Sequence, residues 1–408
     1  MQVNISKKNV MPFIIICTLP HISFADGRIE DLQQKIDRTY ITTPNGTCGA
    51  YTASARPTLN SCNECCGSNW NIGASLLCWQ GKTCANEYAY GKQHVNLEIE
   101  FEPQDVPLSL PTKGNIYNVD SQWNYGFKVA IGYNINHDGW ESNLFYTNFM
   151  GKGSDKTKTG CKDSIIPLTA TYSITSTVDS ISTSTVNTCF LFCTEAKSNT
   201  ELHFRSLFWD VARDFFVSDC LSIRPFTGLQ AAWITTRQNT RYSGGIPISR
   251  SILGLDNEFV RVKENCRFSG LGPVMGLSAN WHLGRGISLF NEFTMGLLYG
   301  KFQISHREKY SGNSASKISL KSGYHKFCPL GRYNFGLAQK CYLNDDQNYL
   351  TVKVGFESQY WFRVNQIIRI TQDVTAAIDE KGISVIKPSH QGFDLSIIGL
   401  TVDLRLDF

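Results

Sequence analysis

Fourteen cysteines and a few scattered histidines are the residues with which this chain of 408 could do chemistry. Cys62-Asn63-Glu64-Cys65 has the Cys-x-x-Cys spacing of half a zinc site. A zinc finger needs a second pair or two histidines at a matching distance, and neither follows. His203, His282 and His306 stand apart from one another and from other ligand types. Gly270-Leu-Gly-Pro-Val-Met-Gly276 has the glycines of a dinucleotide loop, but their spacing is wrong and no helical pattern follows. There is no Gly-x-Ser-x-Gly elbow, His-Glu-x-x-His pair or phosphate loop, and no convincing carboxylate pair. The sequence therefore predicts no enzyme, no metal and no cofactor. A net charge of +4 without a clustered basic stripe predicts no nucleic-acid partner.

The cysteines then read as structural. Cys62, Cys65, Cys66, Cys78 and Cys84 crowd one region, and Cys189 and Cys193 lie in a long polar stretch. Outside the cytoplasm such residues favour disulfides. Fourteen cysteines less Cys17, which lies in the leader described next, leave an odd total, so at least one thiol stays free or bonds another molecule. Internal disulfides and cross-links to neighbouring envelope proteins both remain open.

Residues 1–25 predict a cleaved export signal: Lys7 and Lys8, an apolar stretch from Val10 to Leu19, then Ser23-Phe24-Ala25. No later run approaches the roughly 18 apolar residues of a membrane-spanning helix. In residues 26–66, Ile29, Leu32 and Ile36 recur at helical spacing and predict a short periplasmic helix beside the cysteine cluster. That helix is a candidate for holding a homotrimer together.

Residues 67–408 carry a different period. Leu400, Val402, Leu404, Leu406 and Phe408 share one strand face, opposite Thr401, Asp403, Arg405 and Asp407. One face suits lipid and the other a watery lumen. The same alternation recurs in 127–134, 273–283, 286–300 and 350–362. Segments 135–139, 214–219, 284–286 and 343–347 are short, whereas 151–200, 238–256, 304–331 and 363–390 are long and polar. Alternating short and long connections are those of periplasmic turns and extracellular loops. The expected fold is all-β: an antiparallel, up-and-down transmembrane β-barrel of ten strands, or twelve if 86–102 adds a hairpin. Lumen-wall candidates are Lys128, Glu292, Lys353, Glu357, Asp403 and Arg405, and Phe408 is the expected insertion signal for the barrel-assembly machinery. The apolar parity from Leu202 to Asp214 shifts near Ser206 and predicts a bulge. Most of the tryptophans fall near strand ends, where an aromatic girdle sits.

Specific stretches then carry a resemblance. Gln122-Trp-Asn-Tyr-Gly-Phe-Lys-Val-Ala-Ile-Gly-Tyr-Asn134 with His137-Asp-Gly-Trp140, Arg224-Pro-Phe-Thr-Gly-Leu-Gln-Ala-Ala-Trp-Ile234, Phe268-Ser-Gly-Leu-Gly-Pro273 and Leu297-Leu-Tyr-Gly-Lys-Phe302 recur in order. With Ala55-Arg-Pro57 and Cys78-Trp79-Gln80, they resemble the major outer membrane protein family of Legionella and chlamydia-like bacteria. The resemblance implies a porin-like barrel in the outer membrane, often cysteine-rich, passing small hydrophilic solutes or ions. It also implies partners: outer-membrane lipid and disulfide-linked envelope proteins. A structural, adhesive surface protein with little channel activity is the alternative. Val274 stands where an arginine is expected in that family, which puts any inherited charge selectivity in doubt.

Overall fold

The computed structural model describes residues 56–57, 70–94, 114–135, 139–159, 163–170, 193–218, 220–248, 251–284, 286–311, 317–343, 348–373 and 385–408. The expected leader, the helix at 27–40 and Cys62, Cys65, Cys66 and Cys189 lie outside them. The described chain is all strand and connection. Its elements are β1 (Arg56–Pro57), β2 (Trp70–Thr83), β3 (Glu87–His94), β4 (Asn115–Asn118), β5 (Trp123–Ile135), β6 (Trp140–Lys158), β7 (Asp163–Pro167) and β8 (Glu195–Arg213). They continue with β9 (Phe215–Ser218), β10 (Leu221–Ile248), β11 (Ser251–Gly284), β12 (Ile287–Tyr310), β13 (Lys317–Leu343), β14 (Asn348–Asp373) and β15 (Val385–Asp407).

Ten of these close a ring. The order β8-β10-β11-β12-β13-β14-β15-β2-β5-β6 returns to β8, with every pairing antiparallel. The backbone of Phe408 exchanges two hydrogen bonds with that of Trp70, at 3.0 and 3.1 Å, where the last strand meets the first. The lower of the two expected strand numbers is therefore correct. Residues 87–94 of the segment that might have supplied two more strands instead enter a separate three-stranded sheet, β4-β3-β7, and the rest of that segment lies outside the described residues.

Period-2 alternation is what allows the ring to close with opposite faces in opposite surroundings. On β12, Ile287, Leu289, Phe293, Met295, Leu297 and Tyr299 are exposed on the outside, while Phe290, Thr294 and Leu298 are buried within. Twelve residue steps from Ile287 to Tyr299, at about 3.4 Å each and a tilt of roughly 40°, make a belt about 30 Å high. That is the thickness of a bilayer's hydrocarbon core. Trp70, Trp123, Trp140, Trp209, Trp233 and Trp281 face outward, whereas Trp79 and Trp361 point into the lumen.

The short connections fall where they were expected, but all four long ones shrink: β6 runs to Lys158 and β8 begins at Glu195. β10 and β11 meet across Ile248 and Ser251, β12 reaches Tyr310 before β13 resumes at Lys317, and β14 continues to Asp373. Strands that rise above a bilayer have water outside them, so their outward residues turn polar and read as loop. The bulge expected near Ser206 is also absent: β8 keeps register with both β6 and β10, and Leu202, Phe204, Ser206, Phe208, Asp210 and Ala212 are buried in unbroken alternation. The apparent change of parity arose because Phe204 and Phe208 face inward while Leu207 and Trp209 face outward. Apolar residues occupy both faces there.

Candidate functional site: the barrel lumen

All six predicted wall residues lie on the inward face of their strands, and the lumen around them is stratified. At the end with the short turns, Arg405 on β15 reaches Glu141 on β6 at 2.6 Å and Asp407 at 2.7 Å. Glu141 also holds Arg224 on β10 at 3.0 Å, and Arg224 stands 3.8 Å from Asp210 on β8. Asn143 donates to Asp210 at 3.1 Å. The chain of charges from Asp407 to Asp210 thus bridges strands that are not neighbours in the ring. Sequence reasoning missed Glu141, Arg224 and Asp210, although parity places Glu141 inward next to the outward Trp140.

The next layer holds Lys128, Glu357, Glu292, Lys353 and Asp403. Lys128 Nζ stands 3.4 Å from Glu357 Oε2, which also accepts from Thr401 at 3.3 Å; Gln359 donates to the other carboxylate oxygen at 2.7 Å. Glu292 pairs with Arg332 on the adjacent strand at 3.5 Å. The Arg332 guanidinium also lies 5.2 Å from the Phe208 ring, on the far side of the barrel. Lys353 sits over Phe290 at 5.6 Å. Buried charges persist when paired and hydrogen-bonded, and Lys128 with Glu357 meets that condition, whereas the Arg332 Nε is buried without a hydrogen-bond partner.

Above the charges aromatic rings project into the lumen. Trp361 meets Phe204 at 5.6 Å, Trp79 meets Phe149 at 5.5 Å, and Phe268 meets Phe302 at 4.7 Å. Phe302 in turn stacks on Tyr324 at 5.5 Å. Phe204 and Trp361 come from strands on opposite walls. Glycines make room for these rings: Gly270 and Gly300 are opposed across β11 and β12, and the Phe268 ring lies where a Cβ on either would sit. Val274 is buried and inward, as parity predicts.

A polar layer follows. Thr236 on β10 donates to Asn365 on β14 at 2.7 Å, again across the lumen. His306 sits between Glu308, at 2.6 Å, and Glu264, at 3.4 Å, and Arg369 reaches the same Glu264 at 3.5 Å. His306 is therefore far from isolated, contrary to its appearance in the sequence. Among the described residues no group of His, Cys, Asp and Glu is arranged to hold a metal ion.

The top is covered by β3, β4 and β7. Tyr88, Ala89 and Ile165 from this small sheet bury themselves against Tyr242, Val260 and Val262 on the inner wall of β10 and β11. Tyr242 Oη donates to the Tyr88 carbonyl at 2.5 Å and lies 2.7 Å from the Thr169 hydroxyl. Tyr88 Oη donates to Asp155 on β6 at 3.0 Å. Burial, and then the Asp155 carboxylate, raise the Tyr88 phenol above its ordinary range, so it stays a donor. Ile165 and Cys193 exchange backbone hydrogen bonds at 2.8 and 2.9 Å. Residues 163–167 form a strand that caps the mouth, and 171–175 lie outside the described residues. Arg369, folded inward beyond a bulge between β14 and β15, donates to the Leu168 carbonyl at 3.1 Å. At that bulge Arg363 adopts φ 49°, and Asp394 accepts from its amide at 2.7 Å.

Of the cysteines expected to cross-link, Cys78 is half-buried, Cys84 is exposed and Cys193 is buried, and all three are thiols here. Burial raises the Cys193 thiol well above its ordinary range.

The model of a family described as the Legionella pneumophila major outer membrane protein precursor matches residues 63–408. No curated protein matches the chain significantly. Among solved structures, the outer membrane protease OmpT from Escherichia coli is 11% identical, with 88% of this chain and 98% of that one covered and a TM-score of 0.37. A Pseudomonas aeruginosa FadL homologue is 10% identical, with coverages of 82% and 89% and a TM-score of 0.21. The P. putida toluene transporter TodX is 7% identical, with coverages of 83% and 90% and a TM-score of 0.17. Superpositions this loose carry no argument about function.

Proposed function

Because the chain belongs to the Legionella major outer membrane protein family, and so resides in the outer membrane, we propose that it is a gated, porin-like channel for ions and small hydrophilic solutes. The observation that carries this reading is the charged network of the lower lumen. A barrel built only for rigidity is better filled with apolar side chains, because buried ion pairs rarely stabilise more than well-packed hydrophobic residues. Here Glu292 and Arg405 keep about 30% of their side-chain surface open, which gives this layer access to water. Mixed charge along a water-filled wall biases ion passage without chemistry. The aromatic layer and the mouth sheet interrupt that route, so conduction requires both to move. A ten-stranded barrel has an interior only wide enough to be filled by side chains, which makes a resting, closed lumen the natural state.

Reversal potentials across a planar bilayer with a salt gradient test the reading. Arg405→Glu with Lys353→Glu is expected to shift the wild-type reversal potential toward cation selectivity. Ion current whose selectivity ignores these substitutions would show that ions pass elsewhere. A barrel that inserts but passes no current under any voltage would leave the structural, adhesive role in front.

A further inference from the structure

The ladder between β13 and β14 stops halfway up the wall. It runs from the Leu343–Asn348 pair to the Leu330–Trp361 pair, whereas β13 keeps its pairing with β12 as far as Lys317. Above Leu330, among the described residues, β13 is paired on one side only. The break begins inside the apolar belt, because Pro329 opposes Leu297 and Phe327 opposes Tyr299. Proline has no N–H to leave unpaired, so it suits a strand at the point where its neighbour departs. From Lys326 upward water can serve the free edge, which lipid could not.

The departed neighbour has turned into the lumen. At the bend Phe362, Arg363 and Val364 together stand against Asp394 alone. Arg363 lies there in the left-handed region, where an arginine rests only if its surroundings hold it. Asp394 does so, accepting from the Arg363 amide at 2.7 Å and from the Tyr360 hydroxyl at 2.5 Å. Beyond the bend β14 and β15 continue as a hairpin, paired from Asn365–Phe393 to Asp373–Val385. Val364, Asn365, Gln366, Ile367 and Ile368 are all buried, so both faces of this strand are covered. Side chains, not a ladder, tie it to the wall. Besides the bonds of Asn365 and Arg369 described above, Tyr324 Oη donates to Gln366 Oε1 at 2.8 Å, and the Gln366 amide donates to Cys266 Sγ at 3.4 Å.

We propose that this hairpin has two positions: the one inside the lumen, and a second in which it swings about Arg363 and extends the β14 ladder up the free edge of β13. Continuing the register below the bend sets Phe362 against Pro329, Val364 against Phe327 and Ile368 against Gly323. Phe362 and Val364 then join the belt, while Arg363, Asn365 and Arg369 face the lumen. The second position gains backbone pairs and relieves Arg363. It gives up the burial of Ile368, which then stands above the belt, and this biases the resting protein toward the first. Inside the lumen the hairpin reaches Thr236 on β10 and the Leu168 carbonyl of the mouth segment, so its departure clears the lumen and frees that segment together. The role as a gate rests on the channel reading; the movement itself does not.

The test is disulfide trapping in the full chain, refolded and inserted in a bilayer. Gly323 is exposed on the outward face and Ile368 is buried in the lumen, so Gly323→Cys with Ile368→Cys closes only in the second position. Mass spectrometry of the digested protein maps the bond, because the native Cys266 and Cys328 are buried in the same lumen. Mild oxidation is expected to join positions 323 and 368 at least ten times faster than it joins Gly323→Cys to Ile367→Cys, whose side chains point to opposite sides of the wall. Phe327→Cys with Val364→Cys is a second pair should the first not refold. In single-channel recording the oxidised pair is expected to stay open at least ten times longer than wild type, and reductant to reverse this. A folded barrel in which neither pair closes overturns the proposal. Equal rates at positions 367 and 368 overturn it too, because the hairpin then has no second register. Bond formation with unchanged open time in a conducting barrel overturns the role as a gate. Bond formation in a barrel that conducts in no variant supports the two positions and sinks the channel reading instead.

Discussion

Replacing Phe302 by alanine is the sharpest probe of the closed lumen. Its ring is fully buried, packed 4.7 Å from Phe268 and 5.5 Å from Tyr324, with the glycine at position 300 offering no side chain that could refill the space. A phenylalanine removed from a rigid core costs about 3–5 kcal/mol, a part of which is the cavity left behind. At 1.4 kcal/mol per tenfold, that raises the unfolding equilibrium constant by roughly a hundredfold to several thousandfold. Phe293 on the same strand is the control. Its ring is 46% exposed on the outward belt, where detergent or lipid fills the vacancy and only the transfer contribution of roughly 1.5–3 kcal/mol remains at most. Urea unfolding of the refolded barrel, followed by tryptophan fluorescence, measures both. Phe302→Ala is expected to lose more than Phe293→Ala, by about 2 kcal/mol at the middle of these ranges. Equal losses would refute the reasoning, because they would mean that the lumen at this level is as fluid as the lipid outside.

Three further outcomes follow from the geometry. Lys128→Met and Glu357→Gln each strip one partner from a buried pair and are expected to cost about 3–5 kcal/mol singly, while the double variant recovers most of it; a double-mutant cycle in urea reads this, and strictly additive losses would contradict it. Gly300→Val places methyl groups where the Phe268 ring lies and is expected to destabilise by about 1–3 kcal/mol in the same assay, with no loss indicating a looser layer. In the folded protein Cys84, Cys220 and Cys341 are exposed and react with maleimide, whereas Cys193 is buried, its thiol held protonated, and labels only on unfolding; mass-resolved labelling of intact barrel tests this, and rapid labelling of Cys193 would show that the mouth sheet opens freely.

Much of the architecture was legible because a barrel wall writes its two environments into alternate residues. The last strand, with Leu400 and Leu404 out and Asp403 and Arg405 in, declared its faces without help, and so did the six wall charges. Legibility failed where one of those environments changed. Above the belt, Asn239 and Arg241 on β10 and Ser305, Arg307 and Lys309 on β12 meet water outside, so strand looked like loop. Along β8 the lumen itself is aromatic, so Phe204 and Phe208 blurred the alternation. Contacts between distant segments left no local trace at all: nothing near His306 announces Glu264, and nothing in Glu87–His94 announces that it leaves the wall to pack against Tyr242. The sequence does carry the glycines at 270 and 300, but their meaning appears only once the Phe268 ring is seen lying over both.

The central claim is that a charged, water-accessible lower lumen is held shut by an aromatic layer and a mouth sheet. Single-channel recording of the wild type beside Phe302→Ala with Trp361→Ala, and beside Tyr242→Ala, tests it most directly. The wild type is expected to be closed for most of the record with brief small steps, and variants of either layer to show longer open times. A wild type that conducts steadily, or variants that fold and insert yet leave the open time unchanged, would contradict it.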